Sequence, residues 1–311
     1  MRLFRSIKAL ALESARRRVV SIGAFDGLHL GHQEIFRRAL SIGDRTGDAI
    51  TALSFEPTPA EYFARGEPPA RLTCFRERLE RLESMGIDEL VCPHFRELNE
   101  LDHQRFVDQI LVAGLGVRHI VVGHDFCYGA GRKGNIDTLE AASAAHGFDL
   151  TIVDPVYLDG RRVSSTGIRA ALSSGDLDTA RRMLGRDYSM SGRVVHGLGL
   201  GRDLGFPTAN VNLKRRKAPV DGIFAVQVDG LGPEPLDGVA NVGSRPTVGG
   251  GKTLLEVFIF DFDASIYGAY ITVRFKKRLR SEEKFDTIEA MQEQMQADVE
   301  AAKAALAERF A

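Results

Sequence analysis

The chain has 311 residues, 44% of them hydrophobic and 27% charged, which is length enough for two ordinary domains with buried cores. Lys and Arg number 41 against 42 Asp and Glu, so no net basic field marks a nucleic-acid binder. No apolar run reaches the ~20 residues of a bilayer span, and the odd count of three cysteines, with no close-spaced pair, argues against a disulfide framework.

The N-terminus is basic but lacks a continuous apolar core before a cleavage site, so no signal peptide is read and a cytoplasmic location is expected. From 19 to about 184, apolar strand-like runs alternate with helical patterns. Strands are expected at 19–22, 49–55, 89–92, 119–122 and 150–153, and helices near 33–40, 74–85, 102–111, 138–145 and 166–173. This alternation predicts a parallel sheet with helices on both faces, whose ligands lie outside the carboxyl ends of the strands.

The most informative stretch follows the first of these strands: Gly23-Ala24-Phe25-Asp26-Gly27-Leu28-His29-Leu30-Gly31-His32-Gln33. Its context predicts a tight glycine loop between strand and helix. His29 and His32, three apart, share a face of a first helical turn. Free N–H groups and the positive end of the helix dipole collect there, so two imidazoles and close-approaching glycines make a cradle for a polyphosphate. Zinc is disfavoured, because it takes three or four ligands and no Cys pair or Glu-x-x-His completes the set. The plain alternative is one capping and one exposed histidine.

Three later segments lie at strand ends or a helix start. Phe55-Glu56-Pro57-Thr58-Pro59 is a proline-stiffened turn, and Gly123-His124-Asp125-Phe126-Cys127-Tyr128-Gly129 is a glycine-bounded loop. In Val163-Ser164-Ser165-Thr166-Gly167-Ile168-Arg169, Ser164 or Ser165 can cap a helix, and Arg169 could reach an anion with its planar fork. The segment 185–192 is short, polar and glycine-bounded, as a junction would be.

Beyond it the texture changes to short alternating runs at 193–195, 224–228, 239–242, 254–259 and 271–275, separated by glycine-rich turns. A period near two predicts an antiparallel sheet or small barrel. Gly192 to Gly197 and Gly201-Arg202-Asp203-Leu204-Gly205-Phe206-Pro207-Thr208-Ala209-Asn210 carry the chemistry; the ending of a Walker A loop is missing. Thr208 and Asn210 offer neutral oxygens on one side of an extended chain, a donor type that suits magnesium. Glu256 stands alone among apolar residues in Leu254-Leu255-Glu256-Val257-Phe258, where by itself it reads as a plain salt-bridge partner. A long helix is expected from 286 to 310, with Asp286 and Glu289 as a capping-box-like pair. Its stripe of Ile288, Met291, Met295, Val299, Ala302 and Leu306 reads as core packing.

These motifs resemble one family. Residues 23–33 carry the His-x-Gly-His signature of the nucleotidyltransferase superfamily, and in full they are similar to the bacterial bifunctional riboflavin kinase/FAD synthetase. Phe-Glu-Pro-x-Pro at 55–59, Ser-Ser-Thr-x-Ile-Arg at 164–169, Gly-Arg-x-x-Gly-Phe-Pro-Thr-Ala-Asn at 201–210 and Gly-Val-Ala-Asn-x-Gly-x-Arg-Pro-Thr at 238–247 match that family in order. The resemblance implies a Rossmann-like nucleotidyltransferase domain with a parallel sheet at 1–186. It implies a small antiparallel β-barrel of the riboflavin kinase fold, with a C-terminal helix, at 187–311. It further implies that ATP and Mg²⁺ convert riboflavin to FMN, and that a second ATP converts FMN to FAD with release of pyrophosphate. For the adenylyltransferase it points to Gly23, Phe25, His29, Gly31, His32, Asp125, Ser165, Thr166 and Arg169 around ATP, with His29, His32 and Arg169 acting in the reaction. For the kinase it points to Gly197, Gly201, Arg202, Gly205, Pro207, Thr208 and Asn210 around ATP, Thr208 and Asn210 on the metal, and Glu256 as base. Flavin contacts fall on Pro57, Asp125, Phe126, Arg280 and Phe285.

Two positions depart from the pattern: Gly167 where many relatives carry a basic residue, and Phe258 where histidine is usual. They motivate a second reading, in which only one module is active; a non-catalytic flavin-binding scaffold is a third. The expected partners are the small-molecule substrates, with no nucleic acid and no membrane, and weak homo-oligomers as a further expectation.

Overall fold

The computed structural model describes residues 1–11, 16–197, 201, 204–245 and 252–307. The chain forms two compact units, 1–69 with 78–163, and 70–77 with 164–311.

In the first unit, β1 (Arg2–Phe4), β2 (Arg18–Ile22), β3 (Ala49–Leu53), β4 (Glu89–Val91), β5 (Val117–Gly123) and β6 (Asp149–Val153) form one sheet in the order β1-β4-β3-β2-β5-β6. Every pairing is parallel. All five residues of β2 are buried, as expected where helices cover both faces of a parallel sheet. The helices are α1 (Ile7–Ala11), α2 (Leu30–Thr46), α3 (Pro59–Tyr62), α4 (Phe75–Ser84, its first turn counted with the second unit), α5 (His103–Arg105) and α6 (Ile136–His146). A π-helical run, Phe106–Val112, continues α5, and a two-stranded hairpin of β7 (Tyr157–Leu158) and β8 (Arg161–Arg162) follows β6. From β2 the chain steps outward through β3 to β4, then returns to place β5 on the other side of β2. The carboxyl end of β2 is therefore the topological switch point, where such sheets bind ligands. α2 starts three residues earlier than the apolar period suggested, because His29, in extended conformation, takes the N-cap position.

The second unit begins with α7 (Ser165–Ser173) and α8 (Leu177–Leu184). Then β9 (Ser189–Val195), β10 (Thr208–Asn212), β11 (Gly222–Asp229), β12 (Leu236–Arg245), β13 (Lys252–Ile259) and β14 (Tyr270–Arg280) close a barrel in the order β10-β13-β12-β11-β14-β9. All its pairings are antiparallel. Phe224, Val226, Val257, Val273 and Phe275 are buried at alternate positions and fill the interior, with the Phe224 and Phe275 rings edge to face at 5.2 Å. The last helix, α9 (Ile288–Ala307), lies on the outer face of β11, β12 and β14, where Val299, Ala302 and Leu306 pack on Ala225 and Phe260.

Two sequence expectations need correction here. Residues 189–192, expected as part of a polar junction, open β9: Met190 is fully buried and the Ser191 hydroxyl bonds Thr272 across the ladder at 2.9 Å. A Cβ on Gly192 would lie 2.5 Å from the Asn212 carbonyl oxygen, so glycine here serves close strand approach. At the start of α9 it is Thr287, not Asp286, whose hydroxyl accepts from the Ala290 N–H at 3.1 Å.

The segment 70–77 is locked to the barrel by charge. Arg215 donates from Nη2 to both Glu77 carboxylate oxygens at 2.7 and 2.6 Å, and from Nη1 to the Tyr188 hydroxyl at 3.0 Å, while the Ser191 N–H donates to Glu77 at 2.7 Å. Both charges are buried.

Candidate active sites

At the carboxyl end of β2 the chain makes a turn that ordinary residues rarely adopt. Phe25 and Leu28 have φ of 49° and 44°, and Gly27 has 85°. Both side chains are buried, Phe25 at 1% exposure, and the Phe25 ring packs on Phe36 at 4.7 Å and on His32 at 5.4 Å. Core packing thus holds a strained loop in place, as is common at ligand sites. Gly23 and Gly31 sit close against rings: a Cβ would lie 3.0 Å from the Phe25 ring in the first case and 3.2 Å from the His29 ring in the second, so either ring would have to shift slightly.

The result is a pair of stacked imidazoles on the first turn of α2, centroids 3.7 Å apart and planes at 19°. His29 is buried, and His32 Nδ1 is buried with no hydrogen-bond partner among the described residues. Burial, reinforced by the neighbouring His29, pushes the His32 pKa well below its ordinary value, so the ring stays neutral near pH 7. A neutral His32 ring stacked on His29 at a helix start can offer an N–H donor to an anion.

The other loops of this unit sit on neighbouring strands. After β3, Glu56 accepts from Arg78 Nη2 at 2.9 Å, and Arg78 Nη1 reaches back to the Ala24 carbonyl at 2.8 Å. Arg78, only 2% exposed, therefore ties the Pro57 loop to the histidine loop. Sequence reading missed it because a lone arginine on an amphipathic helix looks like a solvated face. Beside Pro57, Tyr62, Phe63 and Phe95 form an aromatic cluster with centroids 5.2 to 5.6 Å apart, and Phe63 remains 63% exposed. An open aromatic face next to Pro57 is the kind of surface on which a planar ring can stack. After β5, Phe126 stacks on Tyr128 at 5.6 Å, and Asp125 accepts from Arg162 at 2.6 Å. Burial pushes the Asp125 carboxyl up, but the hydrogen bond and charge of Arg162 outweigh it and hold the group below the usual range.

Ser165, Thr166 and Arg169 lie in the second unit, on α7. Ser164 is the cap, accepting from the Gly167 N–H at 3.1 Å. Arg169 Nε donates to the Ala70 carbonyl at 2.6 Å. At Gly167 a Cβ would make only ordinary contacts, 3.4 Å and beyond, so nothing steric compels glycine there.

The barrel carries one large cavity, about 520 Å³, on its outer face beneath the first turns of α9. Its floor is written by strand register. Asn210 and Asn241 stand directly opposite Glu256 on either side, and Thr208 and Val239 stand opposite Phe258. Directly opposed residues share a face, so the floor has two rows: Asn210–Glu256–Asn241 and Thr208–Phe258–Val239. Glu256 has no hydrogen bond or ion pair among the described residues, which leaves its carboxylate available to a ligand. Phe258 instead joins an apolar wall with Phe206 at 5.6 Å and Phe260 at 5.9 Å.

The β10 side of the cavity is bounded by glycines. A Cβ on Gly197 would collide with the Asn210 amide, and one on Gly201 would lie 3.1 Å from Thr208 Oγ1. Backbone therefore lies against both oxygen donors, leaving a cradle that side chains would fill. Gly205, with φ of 85°, serves the turn before Pro207, and Arg202 lies outside the described residues. On the opposite side Arg280 lines the cavity but is committed to Asp298, donating from Nε and Nη2 at 2.8 and 2.7 Å, with Phe285 at 5.8 Å beneath its guanidinium. Met291 and Met295 face the cavity, whereas Ile288 is 59% exposed, so the N-terminal half of the expected core stripe does not serve as core. Also missed were Asn241 and the stacked His196 and Tyr267 rings at the cavity, 3.8 Å apart.

The FAD synthetase family model matches residues 11–167 and the riboflavin kinase family model residues 184–306. A relative from Pseudomonas fluorescens described as bifunctional riboflavin kinase/FMN adenylyltransferase is 44% identical over 306 residues, 98% of this chain and 97% of that one. The chain belongs to the bifunctional riboflavin kinase/FMN adenylyltransferase family. The family's Escherichia coli K12 member is 42% identical over 299 residues, 96% of each chain. A crystal structure described as a macrolide-efflux protein from Streptococcus pneumoniae superposes with a TM-score of 0.83 at 30% identity, covering 97% of this chain and 98% of that one. In the chain of this family described here, no helix among the described residues is long and apolar enough to cross a membrane.

Proposed function

We propose that this chain phosphorylates riboflavin to FMN at the barrel cavity and adenylylates FMN to FAD at the parallel sheet, with ATP as donor in both steps. The observation that carries the reading is the pairing of two differently built anion cradles, stacked histidines at a helix start and glycine-backed Thr208 and Asn210, in one family member. We assign the first reaction to 187–311 and the second to 1–186, and expect a cytoplasmic enzyme that uses Mg²⁺.

At the barrel, Glu256 takes the proton from the ribityl 5′-hydroxyl as its oxygen attacks the γ-phosphorus, and ADP leaves. Thr208 and Asn210 fit magnesium: both are neutral oxygen donors on one face, backed by glycine backbone, with a carboxylate beside them. Bound there, the ion would draw charge from the phosphate oxygens.

At the sheet, the FMN phosphate attacks the α-phosphorus of ATP, an FMN–AMP bond forms and pyrophosphate leaves. A phosphate monoester has its second pKa at about 6, so the nucleophile is already anionic and needs no base. His29 and His32 donate to the triphosphate and stabilise charge as it gathers. Pro57, Tyr62, Phe63 and Phe126 supply apolar surface for the flavin. We give Ser165, Thr166 and Arg169 a nucleotide-binding role on the family pattern alone.

The departures at Gly167 and Phe258 motivate a second reading, in which only one module is active. Incubating the purified protein with riboflavin, ATP and Mg²⁺ and following products by chromatography separates these. FMN that rises and then gives way to FAD supports the proposal. Riboflavin recovered unchanged, with added FMN still converted to FAD, leaves an adenylyltransferase alone.

A further inference from the structure

The floor of the barrel cavity is asymmetric about Glu256. In the order β10-β13-β12, Asn210 and Thr208 lie on one side with the glycine cradle, and Asn241 and Val239 on the other. The helix bearing Met291 and Met295 packs over β12, so those two methionines line the cavity on the Asn241 side. A triphosphate and its metal belong with the oxygen donors and open backbone; a flavin belongs with the methionines and Phe285. Glu256 stands between the two halves, where a hydroxyl from one must meet a phosphorus from the other.

Asn241 is then the first polar group on the flavin half. Its Oδ1 is buried and has no hydrogen-bond partner among the described residues. A buried acceptor left unsatisfied is costly, and such groups in native proteins find a partner in water or ligand. The missing partner must bring a hydrogen. Phosphate oxygens cannot supply one, and a water held by a metal at Thr208 and Asn210 would lie on the far side of the carboxylate. The atoms adjoining the reacting hydroxyl on the flavin half are the secondary hydroxyls of the polyol arm, which can.

We propose that Asn241 determines specificity in the kinase reaction by accepting a hydrogen bond from the 3′- or 4′-hydroxyl of the ribityl arm while the primary hydroxyl faces Glu256. The proposal rests on the reading of the cavity as the riboflavin kinase site. It gives the enzyme a means of counting hydroxyls, and it fixes the arm in the orientation that brings the terminal oxygen to the base.

The test compares riboflavin with 4′-deoxyriboflavin and 3′-deoxyriboflavin as kinase substrates of the full-length protein. The wild type should prefer riboflavin over one of the two analogues by about 10²-fold in kcat/KM, because removing that hydroxyl leaves the amide oxygen unpartnered. Asn241→Ala should lower kcat/KM for riboflavin by a similar factor and reduce the discrimination to within about threefold, with the KM for ATP and FMN adenylylation unchanged. Asn241→Asp keeps an acceptor in nearly the same shape, so it should keep the discrimination. The second carboxylate opposite Glu256 should also move the acid limb of the kinase pH profile upward. Failure of the wild type to distinguish either analogue, or full discrimination by Asn241→Ala, overturns the assignment. A wild type that phosphorylates neither riboflavin nor any analogue instead removes the underlying kinase reading.

Discussion

Replacing Glu256 by Gln is expected to cut riboflavin phosphorylation by about 10²–10⁴-fold, the usual contribution of a positioned general base, and to leave FMN adenylylation at the parent rate. The substitution keeps the shape and a hydrogen-bonding amide in the same row between Asn210 and Asn241, so strand register should survive. No ion pair among the described residues is broken, and the side chain is only half-buried, which limits any cost to folding. The loss should appear in kcat more than in the KM for riboflavin, because the proton moves only in the transition state. Assaying FMN formation from riboflavin and FAD formation from FMN on one preparation gives both readouts. A variant that still phosphorylates within twofold of wild type would show that Glu256 is not the base.

The second large effect belongs to the other unit. The double variant His29→Ala, His32→Ala should lose FAD formation from FMN by about 10³-fold or more, since a single preorganised donor at a developing charge is commonly worth 10²–10³. The two losses should combine less than multiplicatively, because stacked rings at 3.7 Å act as one group. Riboflavin phosphorylation should persist. Removing two packed rings also leaves space beside Phe25, so thermal unfolding is measured in parallel. His32→Asn retains a donor and should recover part of the activity if the rings act by donation. Retention of full FAD synthesis by the double variant would place the adenylyl transfer elsewhere.

What the sequence made legible is physically local. A β-branched run followed by glycines and two histidines three apart specifies a strand, a loop and a helix start, and those residues converge as expected. The alternation of runs gave the parallel sheet, and the period of two gave the barrel. What stayed hidden depends on register or on pairing between distant segments. Asn241 is an ordinary polar residue in a strand until β12 sets it opposite Glu256. Arg78 reads as surface until Glu56, 22 residues earlier, accepts from it. β1 has only three residues, too few for a period to show, and it becomes a strand by pairing with β4. Met291 and Met295 fit a helical stripe that reads as core, but amphipathic spacing reports only that a face avoids water, and a ligand cavity satisfies that as well as a protein interior does.

Arg215 sets a limit on how the gene can be divided. A recombinant fragment starting at residue 187 would omit Glu77, the carboxylate that neutralises this guanidinium inside the protein. Stranding such a cation without its counter-ion generally costs about 3–5 kcal/mol, a large share of a small domain's net stability. Although its catalytic signature is contiguous in the C-terminal half, the kinase fold is stitched with a short insert encoded more than a hundred codons upstream.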